Sequence, residues 1–249
     1  MMSGLYKIGS RLMLESQRQE IIAQNLAGAG TCGFKGRYLA ADGFHAHLAR
    51  LEDSQSVSRG DKGTPVVDFS QGSLTQTQRS LDFAIIGDGF FRVQTAEGAT
   101  LLTRNGSFML SPAGFLVTQE GHTVLGDSGP IRLEPTDDVT RLQVSETGHL
   151  QVPDAVGGAM RTVATMGVHT VQEPQRLIRV SASYYLPDAD QKVIPAPEAR
   201  LCNGHQEQPN VSSVREMAAM IQSLREFEAG HKMIQTMNDL ARDEGQKTA

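Results

Sequence analysis

Residues 213–242 read SVREMAAMIQSLREFEAGHKMIQTMNDLAR, and the spacing of apolar residues in this stretch predicts a long amphipathic helix near the C-terminus. Apolar side chains recur at alternating intervals of three and four residues, which places them on one helix face. His231 and Asn238 interrupt this seam, so it is too polar to form a closed core by itself. The seam comprises Met217, Met220, Leu224, Phe227, Ile234 and Ala241, widened by Ile221, Met233, Met237 and Leu240.

The N-terminal segment carries a second seam with the same spacing. Its apolar members are Leu5, Ile8, Leu12, Ile22 and Leu26, with Glu15 and Gln19 at the two intervening positions. Because such a stripe has to be covered by another helix, we expect both ends of the chain to finish folding against partner subunits. The candidate subunit-interface residues are Leu5, Ile8, Leu12, Ile22, Asn25, Leu26, Met217, Met220, Ile221, Leu224, Phe227 and Ile234.

Between the two helices, short β-prone runs alternate with turn sequences typical of hairpins. The turns are Glu97-Gly98, Pro112-Ala113-Gly114, Glu120-Gly121 and Thr147-Gly148. The predicted fold class is therefore α+β, with N- and C-terminal amphipathic, coiled-coil-like helices flanking a mainly antiparallel β domain. The predicted domains are 1–35 for the first helix, 36–63 for a loose linker, 64–205 for the β domain and 206–249 for the second helix.

Composition argues against several kinds of partner. The net charge is −5 and no basic stripe is present, so nucleic acid is not expected to bind. No run approaches the roughly 18 apolar residues of a membrane helix, so we expect no direct membrane insertion. The short run Leu12-Met13-Leu14 is followed at once by Glu15, which is not a signal-peptide pattern. With only Cys32 and Cys202, the chain has no disulfide framework.

No motif in the sequence indicates catalysis. Gly87-Asp88-Gly89 resembles the start of a dinucleotide-binding loop, but Arg92 replaces the third glycine and a strand-like run follows, which favours a tight turn. His45 and His47 could face one way on a strand and hold a metal, but no third ligand is near in sequence, so solvated histidines are favoured. We therefore predict a protein that is not an enzyme and needs no cofactor and no metal.

Several ordered sequence blocks together resemble the flagellar rod and hook family. Residues 21–35, IIAQNLAGAGTCGFK, are similar to the end of that family's first helix, and residues 80–93, SLDFAIIGDGFFRV, to its central block. The run TRNGSF at residues 103–108 follows in the family's order. Residues 210–232, beginning NVSSVREMAAMIQ, are similar to the family's closing helix.

The resemblance implies a structural role. Family members polymerise into the axial rod or hook, with their terminal helices in an inner tube and the β domain outside. The chain would then be a rod subunit that transmits torque from motor to hook, and its partners would be other rod subunits, copies of itself and the flagellar export apparatus. It would lie in the basal body within the periplasmic space, exported by the type III route without a cleaved signal.

Two alternatives remain open at this point. Within the family, the chain resembles the proximal rod subunit more than the distal rod or hook-type subunit. Outside the family, a cell-wall binding β module whose helices only dimerise would also fit the domain order. One departure from the family motif is Gly230, which replaces the usual Asn; a glycine inside a helix costs about 1 kcal/mol against alanine, so it predicts a bend or a close helix contact.

Overall fold

The computed structural model describes residues 2–40, 64–135, 137–145, 147–153 and 160–247, with side-chain burial described within residues 8–239. His45 and His47, predicted as solvated histidines, lie outside the described residues, as does most of the predicted linker. The described chain groups into two compact units. The helical unit contains residues 2–27, 36–40, 64–68 and 211–247, and the β unit contains Gly28–Lys35 and Phe69–Asn210.

Two long helices and nineteen short strands make up the described structure. The helices are α1 (Met2–Gly28) and α2 (Ser213–Lys247), and short 3-10 turns occupy Val139–Arg141 and Pro174–Arg176. The strands are β1 (Arg37–Ala40), β2 (Thr64–Val67), β3 (Leu74–Gln76), β4 (Phe83–Ile86), β5 (Phe91–Gln94), β6 (Thr100–Thr103), β7 (Phe108–Leu110), β8 (Leu116–Thr118), β9 (Thr123–Gly126), β10 (Gly129–Pro130), β11 (Gln143–Val144), β12 (His149–Pro153), β13 (Met160–Thr165), β14 (His169–Val171), β15 (Ile178–Arg179), β16 (Tyr184–Leu186), β17 (Val193–Pro195), β18 (Arg200–Asn203) and β19 (His205–Glu207).

The β unit is built around an antiparallel sheet with the strand order β15-β16-β6-β5-β9-β8-β7, and β10 pairs with β9. Smaller antiparallel ladders join β18 to β4, β19 to β3, β14 to β17 and β11 through β12 to β13. Alternate strand residues point inward and bury large apolar side chains almost completely. The core includes Phe83, Phe91, Phe108, Leu116, Ile131, Leu133, Leu150 and Tyr184.

The four turn sequences named above all connect paired strands, so the hairpin prediction is confirmed. They join β5 to β6, β7 to β8, β8 to β9 and β11 to β12. The tight turn predicted at Gly87-Asp88-Gly89 is also confirmed, between β4 and β5. Gly89 has φ +147°, and a Cβ there would lie 2.4 Å from Val168 Cγ1, so both backbone freedom and space favour glycine.

The predicted domain boundaries differ from the two units at four places. Residues 28–35, predicted with the first helix, lie in the β unit, and residues 64–68, predicted with the β domain, lie in the helical unit. The predicted linker begins at residue 36, but Arg37–Ala40 forms β1 and pairs with β2 in the helical unit. The boundary at residue 205 cuts β19, which pairs with β3 and belongs to the β unit. The latter two differences have one cause: a strand of three or four residues is stabilised by a distant partner strand, and local composition does not reveal that partner.

Candidate subunit interface

In the helical unit, α1 lies antiparallel to α2 of the same chain. Ser223 Oγ donates to Glu15 Oε2 over 3.0 Å, and Gln19 Nε2 donates to the Ser223 carbonyl oxygen over 3.3 Å. Glu15 and Ser223 are 6% and 1% exposed, so this polar contact is buried between the helices. The two polar positions that interrupt the N-terminal seam therefore meet a polar residue of α2.

Gly230 marks a close approach of the two helices, as the sequence predicts. A Cβ built on Gly230 would lie 2.7 Å from Leu12 Cδ2 and 3.4 Å from Leu12 Cγ. Since no carbon atoms pack at 2.7 Å without a shift, Leu12 occupies the space that any larger residue at 230 would need. Glycine at this position therefore permits the contact.

Asn25 links three elements of the helical unit. Its Nδ2 donates to the Arg37 carbonyl oxygen over 2.8 Å, and its Oδ1 accepts from the Arg37 N–H over 2.9 Å. The side chain thus imitates a strand partner at the start of β1. Its Nδ2 also lies 3.4 Å from Glu216 Oε2 in the first turn of α2.

The twelve predicted interface residues occupy three different environments. Ile22 and Asn25 are buried within the chain, each 5% exposed. Ile8, Leu12, Leu26, Met220, Phe227 and Ile234 are partly buried, and the Leu5 side chain lies outside the described side chains. Met217, Ile221 and Leu224 are 52%, 54% and 45% exposed. Ile22 and Asn25 are therefore already covered within the single chain, and the three exposed residues are the ones most accessible to a partner subunit.

The exposed residues form one stripe on α2, which we call the outer stripe: Val214, Met217, Ile221 and Leu224. Their spacing of three, four and three residues places them on one helix face. The partly buried residues Met220, Phe227 and Ile234 follow a separate line along the helix. The spacing in the sequence alone does not separate the two lines. Val214, which is 75% exposed, lies outside the predicted seam, although its position three residues before Met217 places it on the same face.

The β unit contains a buried ionic cluster. It connects a residue that follows α1 in sequence to a residue that precedes α2. We call Lys35, Arg104 and Glu207 the root cluster. Lys35 Nζ lies 2.6 Å from Glu207 Oε1, and Arg104 Nη1 lies 3.3 Å from Glu207 Oε2. All three side chains are at most 3% exposed. No pattern in the sequence relates these three residues, because each comes from a different part of the chain.

Further hydrogen bonds hold the side chains of the root cluster, while the buried Arg104 Nε has no hydrogen-bond partner among the described residues. Lys35 Nζ donates to the Ser70 carbonyl oxygen over 2.6 Å, and the Gly72 N–H donates to Glu207 Oε1 over 3.0 Å. Arg104 Nη2 donates to the Gly87 carbonyl oxygen over 2.8 Å. Burial lowers the pKa of the Arg104 guanidinium, and the Glu207 carboxylate opposes that shift. The cluster therefore joins the TCGFK and TRNGSF runs to β19.

The described residues offer little for chemistry on a ligand. Cys202 Sγ lies 3.1 Å from His205 Nδ1, but burial raises the pKa of the Cys202 thiol, which disfavours the reactive thiolate. Across the described ranges, no group of three or more His, Cys, Asp or Glu side chains is placed to hold a metal ion. Neither described helix has an apolar stretch long enough to span a membrane.

Comparisons with known proteins give the family. Residues 84–152 match the model of the flagellar hook protein FlgE/F/G D1 domain, and residues 203–244 match that of the flagellar basal body rod FlgEFG protein C-terminal region. The chain is 32% identical over 230 residues to the flagellar basal-body rod protein FlgF of Escherichia coli strain K12, covering 90% of this chain and 89% of that protein. The chain belongs to the FlgF/FlgG family of flagellar basal-body rod proteins. The expected resemblance is thereby confirmed.

Other members of the family are similar over nearly the whole chain. Identity to FlgF of Caulobacter vibrioides is 32% over 242 residues, covering 96% of this chain and 95% of that protein. Identity to FlgG of Bacillus subtilis is 26% over 261 residues, covering 98% of each. As a FlgF/FlgG family member, the chain is a structural subunit of the flagellar basal-body rod and is not an enzyme.

Proposed function

We propose that the chain polymerises into the rod through its helical unit, with the outer stripe of α2 packed against a helix of a neighbouring subunit. The observation that carries this proposal is the exposure of Val214, Met217, Ile221 and Leu224 on a helix whose other seam already contacts α1. Scattered exposed apolar residues are common, but four in helical register form a contiguous surface that favours a protein contact.

The energetics favour assembly over the free chain. Burying a Leu, Ile or Met side chain contributes roughly 1.5 to 3 kcal/mol, so covering the stripe can offset the ordering of the helix ends. The stripe is confined to the start of α2, because Glu228 and Gln235 take the corresponding positions further along. The neighbouring subunit is therefore expected to contact the N-terminal part of α2.

Met217 gives the stripe one adaptable side chain. Methionine is flexible and polarizable, so it packs against surfaces of slightly different shape. A rod subunit that meets both copies of itself and homologous rod subunits would need such tolerance. A stripe that contacts a different surface on the next subunit generates an open helical assembly when its rotation does not close into a ring, whereas contact between identical surfaces gives a closed dimer.

The finer features of the role follow the family resemblance. We propose that the terminal helices lie in the inner tube in coiled-coil contact, that the β unit forms the outer layer, and that the rod transmits torque from motor to hook. The FlgF-type proximal position is favoured, since the FlgF relatives described above share 32% identity and the FlgG relative 26%. Export through the flagellar type III apparatus without a cleaved signal, and a periplasmic position in the basal body, belong to the same proposal.

The experiment places a charge on the outer stripe. Ile221→Glu, expressed in a bacterium that lacks its own copy of this subunit, should abolish swimming and rod completion. Ile221 is 54% exposed, so the purified variant should unfold within about 0.5 kcal/mol of the unmodified chain. Gln222→Glu is the matched control, because it adds the same charge at the next exposed position on another face.

The two variants separate assembly from folding. Swimming should persist with Gln222→Glu and fail with Ile221→Glu, while both proteins stay folded and are exported. Normal swimming of the Ile221→Glu strain would show that the outer stripe is not a subunit contact. Loss of swimming in both strains to the same degree would attribute the effect to charge on α2 rather than to the stripe.

A further inference from the structure

The contact between Glu15 and Ser223 is unusual for a helix seam, because both groups are buried between two helices that otherwise pair through apolar residues. Ser223 Oγ donates to Glu15 Oε2 over 3.0 Å, and Arg18 Nη1 approaches Glu15 Oε1 at 3.8 Å. Gln19 adds a bond to the Ser223 carbonyl oxygen. We call Glu15, Gln19 and Ser223 the polar layer.

We propose that the polar layer fixes the register in which α1 pairs with α2. Seams built on alternating spacings of three and four residues nearly repeat every seven residues, so apolar contacts alone discriminate weakly against a slip of one heptad. A buried polar group that finds its partner in only one register supplies that discrimination. This register is a property of the single chain and does not depend on the proposed assembly.

The slipped registers leave Glu15 without its donor. Shifting α2 by seven residues in one direction replaces Ser223 by Gly230, which has no side-chain donor. Shifting it in the other direction replaces Ser223 by Glu216, which sets two carboxylates together. A buried polar group that loses its hydrogen bond is strongly disfavoured, and a buried charge more so.

The same slips also misplace the other features of the seam. Ser223 would face Ile8 or Ile22 in place of Glu15, which would bury its hydroxyl against an apolar side chain. Leu12 would leave the space beside Gly230 and face Ser223 or Met237 instead. The polar layer and the close contact at Gly230 therefore favour the same register, and the polar layer disfavours a slip of one heptad in either direction.

Cross-linking between introduced cysteines measures the register directly. In a full-length chain with Cys32→Ser and Cys202→Ser, the pair Leu12→Cys and Gly230→Cys reports the observed register, since Leu12 Cγ lies 3.4 Å from a Cβ at 230. The pair Leu12→Cys and Met237→Cys reports a slip of one heptad, because residue 237 lies about 10 Å from residue 230 along the axis of α2. With the polar layer intact, only the first pair should form a disulfide efficiently.

In a second step, the polar layer is replaced by apolar residues in both double-cysteine variants. With Glu15→Leu and Ser223→Ala, the ratio of slipped to native disulfide should rise by roughly tenfold or more. This is the factor expected when the register is no longer selected by one buried hydrogen bond. Thermal stability should not fall, because an apolar pair of similar volume can replace a buried polar pair without loss. Glu15→Gln keeps an acceptor for Ser223 and should retain the native disulfide alone.

Each contrary result overturns the proposal. An unchanged preference for the native disulfide in the apolar variant would show that register is set elsewhere in the seam. Loss of both disulfides together with helix content would make the layer a source of stability rather than of register. Absence of the native disulfide with the polar layer intact would contradict the helix pairing itself.

Discussion

The β unit and the helical unit bury different kinds of side chain. In the β unit, Phe83, Phe91 and Phe108 are 0% exposed, and each charged side chain of the root cluster lies within 3.3 Å of an opposite charge. In the helical unit, Glu15 and Ser223 lie in the seam while Met217, Ile221 and Leu224 face solvent. The first unit completes its core from its own residues. The second has its apolar surface only partly covered, as the proposed contact with a neighbouring subunit requires.

The largest expected effect comes from removing the shared carboxylate of the root cluster. Glu207→Ala would leave Lys35 and Arg104 buried without their counter-charge, and breaking a buried pair of this kind costs about 3 to 5 kcal/mol. Urea denaturation of the β unit should show a correspondingly lower free energy of unfolding. Asp188→Ala, which removes the exposed partner of Arg176 (2.6 Å), is the control and should change stability far less. Equal effects of the two changes would mean that the root cluster does not anchor the β unit.

A smaller effect is expected at the close helix contact. Gly230→Leu forces new atoms against Leu12, and overpacking of this kind costs about 1 to 3 kcal/mol. Gly9→Ala is the matched change in α1, because no atom lies within 4 Å of its added Cβ, and it should stabilise the helix by about 1 kcal/mol. Far-UV circular dichroism during urea denaturation checks both. If Gly230→Leu were as favourable as Gly9→Ala, the two helices would not approach closely at this point.

The smallest expected effect is a pH dependence in the β unit. Burial, and next the positive charge of Arg92, lower the pKa of His169 below its ordinary 6.5, while its Nδ1 donates to the Gly167 carbonyl oxygen over 3.1 Å. The unfolded chain therefore takes up this proton first. The stability contributed by neutral His169 is complete above about pH 6.5 and is lost as pH falls toward the lowered pKa.

Urea denaturation at a series of pH values tests this dependence. The free energy of unfolding should fall on acidification below about pH 6.5, and His169→Gln should make that part of the curve flatter. A slope that is unchanged by the substitution would assign the pH dependence to other groups.

Local patterns in the sequence predict the long helices, the hairpins and the close helix contact of the two units. The spacing of Met217, Met220 and Leu224 indicates an amphipathic helix, and the glycine-containing turns indicate the hairpins that the structure contains. The insertion of Gly230 into an otherwise regular helix indicates the close contact. Each of these features is set by residues that are neighbours in sequence.

Features that depend on distant residues could not be predicted in this way. The root cluster joins residues 35, 104 and 207, and no periodicity relates them. The α2 seam divides into the partly buried line of Met220, Phe227 and Ile234 and the outer stripe. This division depends on which face of α2 is packed against α1. The spacing shows that Ile221 and Phe227 lie on apolar faces, but only the structure shows that Ile221 is left exposed.

Native-state hydrogen exchange on the purified, unassembled full-length chain tests the contrast between the two units most directly. The exchange of backbone amides reports the free energy of local opening at each position. We expect amides of β5 and β6 to exchange only through global unfolding, and amides of residues 214–224 in α2 to exchange through much less costly local opening. Protection of residues 214–224 equal to that of β5 would contradict the account, because the helical unit would then be complete without a neighbour.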